Sequence, residues 1–503
     1  MLWSRKGKMT EKKYTIHSVK YNLLMNIILK VSAVLFPLIT FPYITRTLSE
    51  EGYGRVGFAV SVVSYFALVA SLGIPSYAVR KCAQKRDNPN ELAKAVKELL
   101  IINTVSLFVS YSAFVLCLLY IPALKEDNII MLICSISIIL QTFGVEWVYQ
   151  AIEQYDYITV RNIIIKTISV LLLFVFVKSP ADIIPYSVVT VIGSVGSNLF
   201  NIFRLPKVID FSQKTTIDIR QHLKPIFLLF FYFAATTIYT NLDVVMLGFL
   251  TSKTIVGYYN ASVKFKNVLV SVITALGAVA LPRATYYLSN NDDENFTNLI
   301  RKSLNYVLLL SISLATYFTI EARQILLLFA GEKYANAINS MMWITPSIVF
   351  IGIGSITAWQ LLIPLGRDRC TLIGAVVGAV VDFVINWLLI PRYGAVGASI
   401  GTLCAEICVV IVHAVGLRDI IRKFIDIGNI VKILIGTLVG VVGISWINNI
   451  MSAHSYFMVC FVSAVVFFLL FGLLELIMKE KTIYSIIENI KNRLNKKEME
   501  KQR

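Results

Sequence analysis

Long uncharged stretches separated by short polar loops constrain this chain more than any other feature. The eighteen residues from Asn128 to Val145 carry no charge, and Ile163 to Val177 contains one charged residue, Lys166. The same alternation recurs along the chain, and about 20 apolar residues are what one helix needs to cross a bilayer. Every backbone amide in hydrocarbon must be bonded within the chain, so these stretches are predicted to be helices. The predicted fold class is an all-α polytopic membrane protein.

Composition agrees with a bilayer as the solvent of this chain. Of 503 residues, 57% are hydrophobic and 15% are charged, and the mean hydropathy is +0.72, which excludes a soluble protein of this size. The net charge of +17 requires no nucleic-acid partner, because most of the 47 Lys and Arg residues fall in loops on one side of the predicted spans. By the positive-inside rule, both termini are predicted to be cytoplasmic. Residues 1 to 21 show no removable signal peptide.

The spacing of the apolar stretches predicts about fourteen spans. They lie near residues 22 to 45, 56 to 79, 98 to 122, 128 to 149, 158 to 177, 182 to 203, 225 to 250, 255 to 281, 303 to 329, 338 to 364, 370 to 390, 394 to 417, 428 to 448 and 454 to 478. The predicted organisation is a basic tail (1–21), a six-helix lobe (22–203), a basic link (204–224), a second six-helix lobe (225–417), two further helices (428–478) and a charged tail (479–503). This spacing favours an internal duplication, which in transporters places the substrate site between the halves. A chance match is the alternative, because Leu72, Gly73, Pro75 and Arg80 only loosely resemble Leu276, Gly277, Pro282 and Arg283.

Enzyme chemistry has little support in this sequence. The largest loop, Arg204 to Lys224, is too short for a soluble domain, and there is no Walker A loop and no His-Glu-x-x-His motif. The four histidines are scattered and there is no Cys-x-x-Cys, so we expect no metal site and no cofactor.

Eight of the ionisable residues inside the predicted spans stand out, because each costs about 2.5 to 3.5 kcal/mol without a partner or a wet cavity. They are the acids Glu146, Asp243, Asp382 and Glu406 and the bases Lys30, Lys166, Lys264 and Lys266.

Depth along the helices suggests how these groups pair. Asp243 and Lys264 are at similar depth, which predicts an ion pair; Lys264 and Lys266 are two residues apart, so at most one of them faces Asp243 and the other is a candidate contact for an anion. In the alternative, both lysines only neutralise acids or reach toward the surface. Asp382 and Glu406 are both near mid-membrane and are predicted to share a proton or bind Na⁺, with solitary packing roles as the alternative.

Two further groups complete the predictions from depth. Glu146 is nearer the cytoplasm, and its predicted partner is Arg161 across the joint between two spans. Lys30, eight residues into the first span, is a candidate for a cavity.

Several stretches together resemble the Wzx-type flippases of lipid-linked polysaccharide repeat units, within the superfamily that also holds multidrug antiporters. They are FPYITRTLSEEGYGRVGF (41–58), LGIPSYAVRK (72–81), EWVYQAIEQYDYITVRN (146–162), NLDVVMLG (241–248), VGYYNASVKF (256–265), LPRAT (281–285), Gln360 with Pro364, and RYGAVGASIGTLCAE (392–406). The resemblance implies fourteen helices in two six-helix lobes around a cationic cavity, with two peripheral C-terminal helices. Arg46, Arg80, Lys264 and Asp243 match recurrent family positions, whereas Lys81 departs from the acid often found there and Lys30 matches no family position.

The resemblance also implies a function. The substrate would be an oligosaccharide on a polyprenyl diphosphate, moved from the inner to the outer leaflet of the cytoplasmic membrane by alternating access, with H⁺ or Na⁺ as a coupling ion. The substrate-binding candidates are Lys30, Arg46, Arg80, Lys264 and Lys266. The expected partners are this lipid-linked substrate and the bilayer, and other polysaccharide assembly proteins are further candidates. The alternatives are a cation-coupled multidrug antiporter and a membrane enzyme of polysaccharide assembly.

Overall fold

The computed structural model describes residues 18–212, 216–451, 454–485 and 488, and every regular element in these ranges is a helix. The predicted all-α fold class is therefore confirmed. The chain divides into two compact units, Met1–Asn241 and Leu242–Arg503. The predicted lobe, link and tail boundaries stay predictions.

Eleven α-helices begin in the first unit, and the last of them passes into the second. They are α1 (Val19–Thr47), α2 (Glu50–Ser71), α3 (Ile74–Lys85), α4 (Pro89–Tyr120), α5 (Pro122–Lys125), α6 (Asn128–Phe143), α7 (Glu146–Ala151), α8 (Tyr155–Phe176), α9 (Ile183–Val195), α10 (Asn198–Val208) and α11 (Arg220–Leu250).

Nine more α-helices belong to the second unit. They are α12 (Lys253–Ser289), α13 (Asp293–Ile320), α14 (Ala322–Ala330), α15 (Ile338–Ile344), α16 (Ser347–Ile356), α17 (Asp368–Tyr393), α18 (Ala395–Gly416), α19 (Ile427–Ile450) and α20 (Tyr456–Ile477). Two 3₁₀ segments, Glu332–Ala337 and Ile421–Lys423, and one π-helical segment, Thr357–Leu362, complete this unit.

Within the described residues, twelve helical stretches are long and apolar enough to cross a membrane, or thirteen when the bent pair Glu332–Ile344 and Ser347–Leu362 forms one span. The predicted span 255 to 281 lies within α12, which has 37 residues. The count of about fourteen stays a prediction.

Several predicted single spans are interrupted helices. The span 56 to 79 breaks between α2 and α3, where Leu72 and Gly73 adopt positive φ angles of 46° and 71°. The span 128 to 149 breaks between α6 and α7, where Val145 has φ 40°. Such breaks cannot be predicted from apolar runs, because hydropathy depends on side-chain polarity and not on the backbone angles of one or two residues.

The helix ends follow local chemistry. Ser49 caps α2 by accepting a hydrogen bond from the Gly52 amide at 3.0 Å, and Glu50 and Glu51 place negative charge in its first turn. Asn88 caps α4 in the same way, with Pro89 at the first helical position. Both patterns satisfy amides that lack a partner within the helix.

A buried polar chain joins the start of α11 to α3 and α4 in the first unit. His222 Nδ1 lies 2.8 Å from the Tyr77 hydroxyl, and His222 Nε2 lies 2.8 Å from Glu98 Oε2. The second Glu98 oxygen accepts a hydrogen bond from the Asp218 amide at 2.8 Å. His222 is the third residue of α11 and is fully buried.

Gly73 allows α11 to approach the break between α2 and α3. A Cβ at Gly73 would lie 2.7 Å from the Phe230 amide nitrogen and 3.0 Å from the Leu229 carbonyl carbon. Both neighbours are backbone atoms, so neither can rotate away.

We predict that Gly73→Ala destabilises the protein, because it adds this overlap to the cost of a left-handed alanine, about 1–2 kcal/mol. A lower thermal unfolding temperature in detergent measures the effect. Gly472→Ala on α20 is the control, because no heavy atom lies within 4 Å of a Cβ there. Equal unfolding temperatures for the two variants would contradict the prediction.

Candidate functional site

The second unit contains a buried polar cluster centred on Asp243, near the end of α11. The Asp243 carboxylate accepts a hydrogen bond from Asn386 Nδ2 at 2.6 Å and another from Thr402 Oγ1 at 2.8 Å. The hydroxyl of Tyr259 also donates to it. These donors come from α17, α18 and α12, so the Asp243 carboxylate on α11 is hydrogen-bonded to three other helices. The three hydrogen bonds replace the hydration that the carboxylate loses on burial.

Asp382 lies one turn before Asn386 on α17 and is 1% exposed. Neither carboxylate oxygen of Asp382 has a hydrogen-bond partner among the described residues, and neither does Asn386 Oδ1. A Cβ at Gly401 would lie 2.2 Å from Asn386 Oδ1 and 3.1 Å from Asp382 Oδ1. Two acceptor oxygens without donors therefore pack against the backbone of Gly401, where a side chain would overlap Asn386.

Small residues bring α17 and α18 close enough to form this arrangement. The buried positions of α17 recur at every fourth residue and are Gly374, Gly378, Asp382, Asn386 and Ile390. On α18, a Cβ at Gly397 would lie 2.7 Å from the carbonyl carbon and oxygen of Leu389. Close backbone approach through small residues is a common mode of helix packing in membranes.

The charges around Asp382 are those of Asp243, Glu406 and Lys266, which lie within electrostatic reach of it. Glu406 is half-buried on α18, and Lys266 is half-buried on α12. Like charges so close in a low-dielectric setting favour a neutralising proton or cation. The structure therefore places Asp243 and Lys266 near Asp382 and Glu406, which the sequence had already grouped together.

The donor set suits a small hard cation or a proton. Carboxylate, amide and hydroxyl oxygens are ligands for hard ions such as Na⁺, whereas soft metals prefer thiolates and imidazoles. In the described ranges, no group of three or more His, Cys, Asp or Glu side chains is placed to hold a metal ion. This chemistry fits a weakly held monovalent ion or a proton better than a tightly held transition metal.

The predicted ion pair between Asp243 and Lys264 is wrong. No ion pair joins them in the described part of the chain, and Asp243 instead bonds the neutral groups of Asn386, Thr402 and Tyr259. Equal depth does not fix which way a side chain points around the helix axis, and here the neutral donors occupy the positions around the acid.

The other basic candidates lie in both units. Lys30 and Arg46 are exposed on α1, and Arg80 is exposed on α3. Lys264 is half-buried on α12. Among the described residues, neither Lys30 nor Lys264 forms an ion pair, and their role as substrate contacts stays a prediction.

Glu146 forms the ion pair predicted for the joint before α8. Its Oε2 lies 2.5 Å from Arg161 Nη2, and Arg161 also donates to the Ser197 carbonyl at 2.9 Å. Arg161 is 5% exposed, so the pair holds the start of α8 against α7 and the turn between α9 and α10.

Comparison with known proteins identifies the family. A family described as "Polysaccharide biosynthesis protein" matches residues 19–288, more than half of the chain. The chain belongs to this family. Similar proteins include a "Putative O-antigen transporter" of Shigella dysenteriae, 25% identical over 402 residues that cover 78% of this chain and 98% of the relative. Another of the same description, from Escherichia coli K12, is 23% identical and covers 78% of this chain and 95% of the relative.

Solved structures share the fold of this family member. "Lipid II flippase MurJ, inward closed conformation" matches with a TM-score of 0.69 at 16% identity, covering 90% of this chain and 99% of that one. An inward-facing multidrug resistance MATE family transporter of the MOP superfamily matches with a TM-score of 0.61 at 13% identity, covering 80% and 98%. The expected resemblance to the Wzx-type family is confirmed by the family match and by these relatives.

The neutral residues of the cluster around Asp243 were not predicted from the sequence. Tyr259, Asn386 and Thr402 carry no charge, so they do not stand out in an apolar span. One signal was available, because the spacing of Asp382 and Asn386 places an acid and an amide on one helix face.

We predict that Thr402→Val destabilises the protein by about 1 kcal/mol, because the change removes one donor to buried Asp243 at nearly constant volume. Thermal unfolding of the full chain in detergent measures the loss. Thr437→Val is a matched control, since that buried hydroxyl donates only within its own helix, to the Ile433 carbonyl at 2.6 Å. A Thr402→Val variant no less stable than this control would contradict the prediction.

Proposed function

We propose that this chain is a flippase that moves polyprenyl-diphosphate-linked oligosaccharide repeat units from the inner to the outer leaflet of the cytoplasmic membrane. The supporting observation is its similarity, over 78% of its length, to proteins described as O-antigen transporters. Membership in the polysaccharide biosynthesis family and a fold like that of a lipid II flippase point the same way.

The physical problem for such a transporter is the headgroup. A diphosphate and several sugars cannot cross about 30 Å of hydrocarbon without replacement of their hydration. Guanidinium and ammonium groups do this through charge-assisted hydrogen bonds. In our proposal these groups are supplied by Lys30, Arg46, Arg80, Lys264 and Lys266.

Transport proceeds by alternating access and is coupled to a cation. Asp382 and Asp243 are buried together on neighbouring helices, and the Asp382 oxygens have no donor in the described chain. The two negative carboxylates repel each other. An H⁺ or Na⁺ bound at Asp382, beside Gly401, neutralises this repulsion and changes the free energy of packing α17 against α18. Loading and release of the cation thus bias the transporter between its two conformations.

We predict that Asp382→Asn slows flipping about tenfold or more, because the neutral side chain no longer requires a cation. Purified protein is placed in liposomes with a polyprenyl-diphosphate oligosaccharide, and substrate in the opposite leaflet is measured under a pH or Na⁺ gradient. The gradient that accelerates transport identifies the ion.

Lys264→Ala tests headgroup binding in the same assay and is expected to weaken it.

Asp368→Asn is the matched control, because Asp368 is an exposed acid at the start of the same helix. Flipping at the wild-type rate by both Asp382→Asn and Lys264→Ala would reject the proposed site residues and leave the flippase assignment intact. Absence of flipping by wild-type protein would reject the assignment itself.

We predict that Gly401→Ala abolishes the gradient dependence of transport, because the added methyl group would overlap Asn386 Oδ1 and displace it from beside Asp382. The measurement compares flipping with and without the gradient, and Gly472→Ala serves as the helical glycine control. A Gly401→Ala variant that folds and responds to the gradient as the wild type does would place the cation elsewhere.

A multidrug antiporter is the second candidate, and the MATE-like fold favours it. Liposomes loaded with cationic drugs distinguish the two. Drug efflux without movement of the lipid-linked oligosaccharide would favour the antiporter, and the reverse would favour the flippase.

A further inference from the structure

A buried acid lies in the second unit where α13 ends, at its contact with the last two helices. Glu321 follows α13 and precedes α14, and its side chain is fully buried. Its Oε1 accepts a hydrogen bond from Asn448 Nδ2 on α19 at 2.8 Å. One turn earlier, the Tyr317 hydroxyl donates to the Cys460 carbonyl on α20 at 2.9 Å. The end of α13 is therefore joined to both α19 and α20 by hydrogen bonds from polar side chains.

Two oxygen atoms of the Glu321–Asn448 pair have no hydrogen-bond donor among the described residues, Glu321 Oε2 and Asn448 Oδ1. Both atoms are buried, and each belongs to a planar group whose other terminal atom forms the 2.8 Å hydrogen bond. A carboxylate oxygen and an amide oxygen are both acceptors, so neither satisfies the other while Glu321 is ionised. A buried acceptor without a donor is costly, and a buried charge without a partner costs more.

No charged side chain compensates Glu321 in the part of the chain that the structure describes. The titratable groups within electrostatic reach are Tyr317 on α13 and Cys460 on α20, and both residue types are uncharged at neutral pH. The second half of α19 and the first half of α20 contain no charged residue. The charged or titratable side chains of α14 and the adjoining segments are exposed, and they are Arg323, Glu332, Lys333 and His454.

We propose that Glu321 is a proton-binding site, in which a proton on Oε2 donates a hydrogen bond to Asn448 Oδ1. With the hydrogen bond from Asn448 Nδ2 to Glu321 Oε1, this forms a cyclic pair between a carboxylic acid and an amide. One proton thus removes the buried charge and satisfies both acceptors. A metal cation suits the site less well, because hard cations take about six oxygen ligands and only two oxygens lack donors here.

The bound proton stabilises the contact between α13 and α19. Its release would leave a buried negative charge facing an amide oxygen, which weakens this contact. With both termini cytoplasmic, the ninth predicted span ends at the outer face of the membrane, so the proton exchanges with the outside. The site is separate from the cluster around Asp382, and it does not depend on the proposed transport function.

The test is the pH dependence of unfolding of the full chain by sodium dodecyl sulfate in detergent micelles, for the wild type and Glu321→Gln. A glutamine supplies the same two hydrogen bonds with Asn448 but has no titratable proton. In the unfolded chain Glu321 loses its proton above about pH 4.3, whereas the folded chain keeps it. Relative to Glu321→Gln, the unfolding equilibrium constant of the wild type should therefore rise about tenfold per pH unit from about pH 5 to about pH 7.

Matched variants separate this site from other acids and amides. Glu294→Gln removes an exposed acid from the first turn of α13 and should retain the wild-type pH dependence. Asn448→Ala should destabilise the protein across this pH range, because it removes both hydrogen bonds. Asn449→Ala, at the exposed neighbouring position, should leave the stability unchanged.

Infrared spectroscopy supplies a second readout that a purely structural role would not change. The difference spectrum between the wild type and Glu321→Gln at neutral pH should contain the C=O stretch of a protonated carboxylic acid. Asn448→Ala should move this band to higher frequency, because the Glu321 carbonyl loses its donor, and Asn449→Ala should leave it in place.

Two outcomes would overturn the proposal. One is a difference in stability between the wild type and Glu321→Gln that does not change with pH, which would mean that the folded chain holds no proton on Glu321. The other is a Na⁺ requirement for wild-type stability at fixed pH that Glu321→Gln removes, which would assign these oxygens to a metal cation. Neither outcome involves substrate flipping, so both leave the proposed function intact.

Discussion

The absence of water in hydrocarbon is the constraint on which this structure depends. A backbone amide without a partner costs several kcal/mol there, so each span must bond its own backbone. Some interruptions occur where a residue adopts positive φ, as Gly73 does between α2 and α3. The same rule applies to hydroxyl side chains, and Thr45 donates back to the Phe41 carbonyl at 2.9 Å within α1.

Buried acids differ in how many hydrogen-bond donors surround them, and this difference distinguishes their roles. Asp243 accepts hydrogen bonds from three side chains on three helices. Glu98 is held by His222 and a backbone amide. Asp382 is as deeply buried as either but has no donor in the described chain. A compensated acid stabilises packing, whereas an uncompensated one requires a ligand or a proton to remain buried, which is why Asp382 and not Asp243 is the centre of the proposed cation site.

The sequence predicted the features that are expensive in a membrane. Helical spans, the pair of Glu146 with Arg161 and the burial of Asp382 all follow from the cost of burying polar groups, so the positions of charged residues within apolar stretches reveal them. The sequence could not predict the neutral partners Asn386 and Thr402, because amides and hydroxyls are tolerated at many positions. The predicted pairing of Asp243 with Lys264 was wrong for a related reason. Residue number gives the depth of a side chain along a helix but not its direction around the helix axis.

Glycine explains why the site depends on packing as much as on charge. Asn386 can pack against the backbone of α18 because residue 401 has no side chain, and α18 can approach α17 because residue 397 has none. A larger residue at either position would separate the helices or displace Asn386, and in both cases Asp382 Oδ1 and Asn386 Oδ1 would no longer lie side by side. The chemistry proposed for the acids therefore depends on two glycines that have no chemical role of their own, because only they let α17 and α18 approach this closely.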